Sequence, residues 1–422
     1  MKNYLLLLLA MLTFALAKAQ SDDAVTLDFY GFVRVDAYMD TYKGVDAGHD
    51  VFYLLPVYAK PAGVEDFNQQ MSSNITAIAS RLGVKATFPD VGKAKASGLL
   101  EFDFAGNLKS DPTLFRIRQA YSQLKWEKSS LLMGQTWHPF FGGANMPIVA
   151  GLNTGAPFSC FNRSPMIRYN MIFGGLTLSA SAVSEMQYNS PMIDQGDFSY
   201  LLTPNHAKRN GVIPELVFTA EWVKNTVTFG AGAEYKRIKP RMMITGTDGS
   251  AIADTYLNST AFMAFGRYKK DKLTLLIKGF FGENMSHLVL PGGYGIASKN
   301  PATGAETYTS YTTYTSSLSL VYGKKYQLGL FAGYGGNLGT KEALWDSGEG
   351  KAKTYGTFTN MQTMYRVAPH VSVNLNKFKV VAEYERTGVS YGVGNIDLSN
   401  GLYASAHQVA NNRIIIVMTH YF

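Results

Sequence analysis

Val25-Thr26-Leu27-Asp28-Phe29-Tyr30-Gly31-Phe32-Val33-Arg34-Val35-Asp36-Ala37-Tyr38-Met39-Asp40-Thr41-Tyr42 alternates without a break. Val25, Leu27, Phe29, Gly31, Val33, Val35, Ala37 and Met39 share one face. Thr26, Asp28, Tyr30, Phe32, Arg34, Asp36, Tyr38 and Asp40 share the other. Period two with one apolar and one polar face is a half-buried strand. This one is longer than most strands of water-soluble sheets, whereas a tilted strand crosses a bilayer in ~10 residues and can project beyond it.

The pattern recurs to the end of the chain. Strands are predicted at 76–88, 97–105, 114–126, 130–137, 166–173, 176–187, 215–223, 226–237, 257–268, 273–283, 311–322, 326–338, 357–373, 378–390 and 407–422. With the first, the tally is about sixteen, an even number as single-chain bacterial barrels require. Short turns, such as Gly174-Gly175 and Lys224-Asn225, alternate with long connections at 43–75, 138–165, 188–214, 238–256, 284–310, 339–356 and 391–406; 106–113 is a modest case. Short periplasmic turns and long external loops are the layout of an outer-membrane barrel. The fold class expected is therefore all-β, a transmembrane antiparallel barrel of about sixteen strands.

Composition agrees. Tyr 26 and Phe 25 bring aromatics to 13%, Gly is 41, and charged residues are only 17%. A wall that faces lipid and carries aromatic girdles has this composition, and few water-soluble domains do. Lys2, the apolar run Tyr4–Ala17 and the small-x-small site Ala17-Lys18-Ala19 predict a signal peptide over 1–19, leaving 20–422 as the barrel domain. No Cys follows that site, which argues against a lipoprotein, and the one cysteine, Cys160, cannot form an internal disulfide. No plug domain is expected ahead of the first strand, so a plugged, energy-coupled transporter is disfavoured. The net charge of +8, or +6 once Lys2 and Lys18 leave, falls as single residues within strands. Export argues against nucleic acid, and scattered positive charge suits a path for anionic solutes.

The last strand places Ile414, Ile416, Met418, His420 and Phe422 on the lipid side. A terminal Phe after alternating apolar residues is expected to be read by the barrel-assembly machinery, with outer-membrane lipid and lipopolysaccharide as surroundings. His420 departs from the usual aromatic or aliphatic residue there. Small wall residues such as Gly98, Gly230, Ala231 and Gly232 could pack against neighbouring subunits.

The connection 138–165 is long, nearly uncharged, and carries Phe140, Phe141, Phe158 and Phe161. It is expected either to fold into the lumen as the third external loop or to pack on a neighbouring subunit. Arginines gather near it: Arg116, Arg118, Arg163 and Arg168, with Arg34 and Arg81 on other inferred lumenal faces. Charge on the lipid wall costs a few kcal/mol near the midplane, so these should face the lumen. A guanidinium fork matches carboxylate or phosphate, and graded weak sites allow conduction. The bland alternative pairs Arg34 and Arg81 with Asp28, Asp36, Glu101 and Asp103.

Enzymatic motifs are thin, with no HExxH or CxxC. Gly388-Val389-Ser390-Tyr391-Gly392 matches a nucleophile elbow but lacks a following helix. Ser405 and His407, with Asn411 and Asn412 after them, form the one pair compatible with a barrel lipase. Thr307–Ser319, rich in Tyr, Thr and Ser, would suit a sugar-selective rim. A structural or adhesive barrel is the other non-enzymatic alternative. No catalytic residue, metal or cofactor is expected.

Several stretches also resemble a known family. Tyr30-Gly31-Phe32-Val33-Arg34-Val35-Asp36, Phe115-Arg116-Ile117-Arg118-Gln119-Ala120-Tyr121, Gly134-Gln135-Thr136-Trp137 and Arg163-Ser164-Pro165-Met166-Ile167-Arg168-Tyr169 are similar, in matching order, to the DcaP-like trimeric porins. The likeness covers mainly residues 28–175. It implies a sixteen-stranded barrel, a homotrimer, and uptake of small organic anions such as dicarboxylates. It also implies lumenal arginines near the constriction, here Arg116, Arg118, Arg163 and Arg168. The periplasmic coiled coil that some members carry is not evident before the first strand.

Overall fold

The structure, a computed structural model, describes residues 25–46, 51–62, 65–108, 111–193 and 205–422. The expected signal peptide, 1–19, lies outside the described residues. Sixteen antiparallel strands make the wall. They are β1 (Thr26–Asp40), β2 (in two segments, Ser72–Thr76 and Arg81–Val91), β3 (Ala94–Leu108), β4 (Asp111–Lys125), β5 (Ser129–Trp137), β6 (Arg163–Phe173), β7 (Leu176–Val183) and β8 (Glu215–Lys224). The second half comprises β9 (Val227–Ile238), β10 (Leu257–Lys270), β11 (Leu273–Glu283), β12 (Glu306–Gly323), β13 (Tyr326–Thr340), β14 (Met361–Leu375), β15 (Phe378–Asp397) and β16 (Leu402–Tyr421). Each strand pairs with its sequence neighbours, and β16 returns to β1 with Phe32 opposite Tyr421 and Asp40 opposite Arg413. Closure leaves no open edge, the condition for a sheet in hydrocarbon.

All sixteen predicted strands are present, most of them longer than expected. β15 and β16 run 20 residues each, about twice a membrane crossing, so the expected loop 391–406 is largely paired strand and only 398–401 turns the corner. The connection 106–113 likewise shrinks, because Gly106 pairs with Leu114 and Leu108 with Asp111. Polar backbone groups above the membrane gain by pairing with each other, and periodicity alone does not mark where the hydrocarbon ends.

Outside, the wall exposes Phe29, Ile117, Ile167, Phe218, Ile277, Val371 and Ile416, a lipid-facing apolar surface. No helix of the described residues is long and apolar enough to cross a membrane. Among the small residues, Gly230 and Gly232 turn inward: a Cβ on Gly232 would meet the ring of Phe140 at 2.6 Å. They face the lumen, not a neighbouring subunit, because they share the parity of the buried Glu234 and Lys236.

The interior is not an open tube. The third loop, 138–162, folds into the lumen. Phe140, Phe141, Cys160 and Phe161 pack there with Val217 of β8, Ala261, Met263 and Phe265 of β10, and Leu276 and Phe280 of β11. Phe158 joins Phe331, Met364 and Ala368 on the far wall. A nearly uncharged, aromatic loop finds its apolar partners inside, which resolves the choice left open by sequence. Part of the first loop (Phe52–Leu55) and of the connection after β11 (Met285–Leu290) enters too, all of it buried.

Candidate functional site: an arginine-lined cleft beside the third loop

Register builds the site. Asp103 on β3 stands between Arg81 on β2 and Arg116 on β4, in one cross-strand row. Asp103 is 2% exposed and accepts from Arg116 Nε at 2.6 Å and a terminal nitrogen at 3.1 Å, and from Arg118 at 2.7 Å. Glu101 accepts from Arg118 Nε at 2.9 Å and from Gln119 at 3.2 Å, with Arg81 at 3.7 Å. Inward charge thus arrives as a lattice in which each carboxylate holds two guanidiniums at a fixed height. Arg116 is the most open member, its side chain 28% exposed.

The remaining predicted arginines sit differently. Arg163, opposite Trp137 on β5, is 1% exposed. It donates to Gln187 Oε1 at 2.9 Å and lies over the rings of Trp137 (4.8 Å) and Phe161 (5.4 Å). Arg168 donates to the carbonyl of Trp137 at 2.8 Å. Neither has a carboxylate within bridging distance among the described residues. Arg34 is chelated by Asp36 and reaches the carbonyl of Ala150 at 2.8 Å. The bland alternative therefore describes Arg34 (with Asp36) and Arg81 (with Glu101), while Asp28 is exposed and away from both.

Between this wall and the loops runs a cleft. It is lined by Arg81, Arg116, Arg118, Ala105 and Trp137 from strands, by Val51 and Phe52 of the first loop, by Leu152, Thr154 and Phe161 of the third, and by Tyr188. Arg163, Arg168 and Arg34 do not reach its surface. Around it five guanidiniums (Arg81, Arg116, Arg118, Arg163, Arg168) meet two carboxylates (Glu101, Asp103), a surplus of three positive charges.

A second polar cluster, not anticipated from sequence, lies behind the third loop. His138 Nε2 is 2.5 Å from Glu215, His287 Nε2 is 3.0 Å from Glu234, and Lys236 Nζ is 2.6 Å from His287 Nδ1. Donor atoms of His138, Glu215 and Glu234, and of Glu185, Glu215 and His287, lie within 4.8 Å of one another, close enough for a cation. The tautomers argue against that use. The Phe140 N–H donates to His138 Nδ1 at 3.2 Å and Lys236 occupies His287 Nδ1, so each Nε2 keeps its proton and faces carboxylate. A metal-ligating histidine needs the reverse, an outer N–H that donates. The sequence signal for this cluster was available, as Glu234 and Lys236 share the inward parity of β9. Parity alone does not join it to the third loop, because of its members only His138 belongs to that loop, and Glu185, Glu215, Glu234, Lys236 and His287 meet it through the closed barrel.

Ser405 and His407 are both exposed on β16, and Ser405 Oγ donates to the carbonyl of Val393 at 3.1 Å. Asn411 is engaged with Thr41, Tyr42 and Asp40, not with His407. Phe422 is 57% exposed at the lipid side, its N–H donating to the carbonyl of Gly31 at 3.2 Å.

No family model matches this chain, and no curated protein does. Solved structures do. The outer membrane channel DcaP of Acinetobacter baumannii superposes with a TM-score of 0.66 over 95% of this chain and 99% of its own, at 17% identity. An anion-selective porin from Comamonas acidovorans gives 0.52 over 94% and 100%, at 12% identity. OmpT, an outer membrane protein of Vibrio cholerae, gives 0.51 over 95% and 99%, at 14% identity. The fold is the outer-membrane porin barrel, and it is DcaP-like.

Proposed function

We propose that this chain is a passive outer-membrane porin that favours small organic anions such as dicarboxylates, which cross through the cleft between the third loop and the arginine row. The observation that carries this reading is the surplus of guanidinium over carboxylate around the cleft. Arg81, Arg116 and Arg118 would touch the solute, with Arg116 best placed to lend a free fork edge. Arg163 and Arg168, one layer back, would add field without contact. Their partners are carbonyl, amide and ring groups, which leave the positive charge uncancelled. Working as a homotrimer, surrounded by lipid and lipopolysaccharide after delivery by the assembly machinery, belongs to the same proposal. A solved structure of in-vitro folded OmpT of Vibrio cholerae is of its trimer form.

The test is reversal potential in planar bilayers across a salt gradient. Wild-type channels should prefer anions clearly at low salt and less as salt rises, because fields are screened over ~8 Å at physiological ionic strength. Replacing Arg163 and Arg168 together with Gln removes two charges without stranding any carboxylate, so the barrel should assemble. The anion preference should then fall severalfold at low salt. In Arg116→Gln, block of small-ion current by a dicarboxylate should weaken by about tenfold, or ~1.4 kcal/mol. Unchanged selectivity in both variants would retire the anion claim and leave a general porin. A wild-type protein that conducts nothing would favour a structural barrel instead.

A further inference from the structure

We infer that Arg34, Lys278 and Arg366 are positioning residues: three wall cations that hold the third loop by its backbone carbonyls and so set the width and steadiness of the cleft. The inference rests on the porin reading and adds to it what fixes the pore's inner boundary.

The cleft has two sides. The wall side, β2 to β4, is braced by its own ion-pair lattice. The loop side has no strand to hold it: Leu152, Thr154 and Phe161 border the cleft from a segment without regular pairing. Its backbone carbonyls need donors, since buried polar groups left unpaired are costly. Some are met within the loop's own turns, and the Ser319 hydroxyl donates to the Ile148 carbonyl at 3.4 Å; the other wall donors are cationic, and they are spread over the loop. Lys278 Nζ donates to the Phe140 carbonyl at 2.8 Å and to Asn145 O and Oδ1 at 3.3 and 3.2 Å, fixing the outgoing limb. Arg34 donates to the Ala150 carbonyl at 2.8 Å, fixing the tip. Arg366 donates to the Ala156 carbonyl at 2.9 Å, fixing the return limb, and also to Leu54 in the first loop, so one guanidinium ties both inserted loops together.

Lys278 is the decisive member. It is 1% exposed, and no carboxylate bridges it among the described residues; loop oxygens and the rings of Phe141 and Phe280 lie against it. A buried ammonium without a carboxylate is expensive. A lysine needed only to fill the wall could be apolar at less cost. Its position on β11 lies eight strands from β3 in the ring, across the lumen from the arginine row. Pulling the loop toward β11 therefore draws it away from Arg116 and Arg118. Arg366 differs in having Glu385 at 3.2 Å, and Arg34 in having Asp36, so these two keep their charges balanced while holding the loop.

The test is single-channel recording of purified wild-type, Lys278→Met, Lys278→Arg and Arg34→Gln proteins, each first checked for the mobility shift on heating that marks a folded barrel. Wild type should give one steady open level. Lys278→Met keeps the chain length and strands no carboxylate; its open state should break into fluctuating sublevels, with mean conductance changed by about twofold or more. Lys278→Arg, which still offers donors to the same carbonyls, should restore the steady level. If Lys278 merely stabilised the wall, Lys278→Met would lower the unfolding temperature and leave the current trace unaltered. A folded Lys278→Met channel with the wild-type level and noise overturns the inference. If Lys278→Met does not assemble, Arg34→Gln decides: sublevels support the pinned loop, and a steady wild-type level refutes it. Absence of conductance in wild type would refute the porin reading itself, a separate outcome.

Discussion

At Asp103 two guanidiniums converge on one carboxylate that water barely reaches, and the balance of charge in the cleft is decided there. Removing one partner of a buried ion pair costs about 3–5 kcal/mol, because the other charge is left stranded. Asp103→Asn keeps the shape and the acceptor oxygen while removing one negative charge. We expect a less heat-resistant barrel and, in channels that assemble, a higher anion-to-cation permeability ratio at low salt. A reversal-potential series would read the second effect, and a ratio equal to wild type would mean that the surplus charge does not face the solute path. Residue parity told the inward arginines from the outward apolar side chains. Their pairing needed the register that brings Asp103 between Arg81 and Arg116, and no local sequence rule supplies that.

Among the elements, β16 bears the heaviest duty, since it closes the sheet on β1. Phe422 lies against Gly31: a Cβ added there would come within 2.3 Å of the Arg81 carbonyl oxygen and 2.6 Å of the Phe422 ring, so the glycine admits both the neighbouring strand and the terminal aromatic. Deleting Phe422 should lower the yield of folded barrel in the outer membrane several-fold, scored by the mobility shift on heating. Normal yield would separate the residue from assembly. Gly31→Val should lower the yield as well, since its Cβ would meet the Arg81 carbonyl of the next strand as well as the Phe422 ring. The third loop is the element whose fate local pattern could not settle. Its aromatic content demanded burial, yet lumen and neighbouring subunit both offer apolar surface. The partners proved to be Val217, Met263, Phe280 and Phe331, all inward members of wall strands.

For the whole molecule, the alternation of turns implies a direction in the membrane. The tight connections at 92–93, 174–175, 225–226, 271–272, 324–325 and 376–377 gather at one rim, and the long loops at the other. An epitope inserted at Asn225 should be shielded from protease added to intact cells, and one inserted at Gly348 should be cut. The opposite result would invert the topology and place the narrow cleft's loops on the periplasmic side. The same two-rim division explains why the last hairpin, with its two 20-residue strands, stands out as a long paired ribbon and not as an irregular loop.

By itself the sequence determined the barrel, its sixteen strands and which side chains face lipid, because period-two alternation is a local property and a one-residue slip would turn every apolar side chain inward. It also placed charged side chains inside, since none can face hydrocarbon cheaply. Only the tertiary structure decided which of those charges neutralise one another. It alone showed that Lys278 and Arg366, far from the third loop in the chain, hydrogen-bond to that loop's carbonyls, and that Arg163 lies beneath Trp137 and not on the cleft. Such contacts join residues whose separation in sequence runs to 210 for Arg366 and Ala156. They exist because closing the ring brings strands from distant parts of the chain around a lumen narrow enough for one loop to reach several of them.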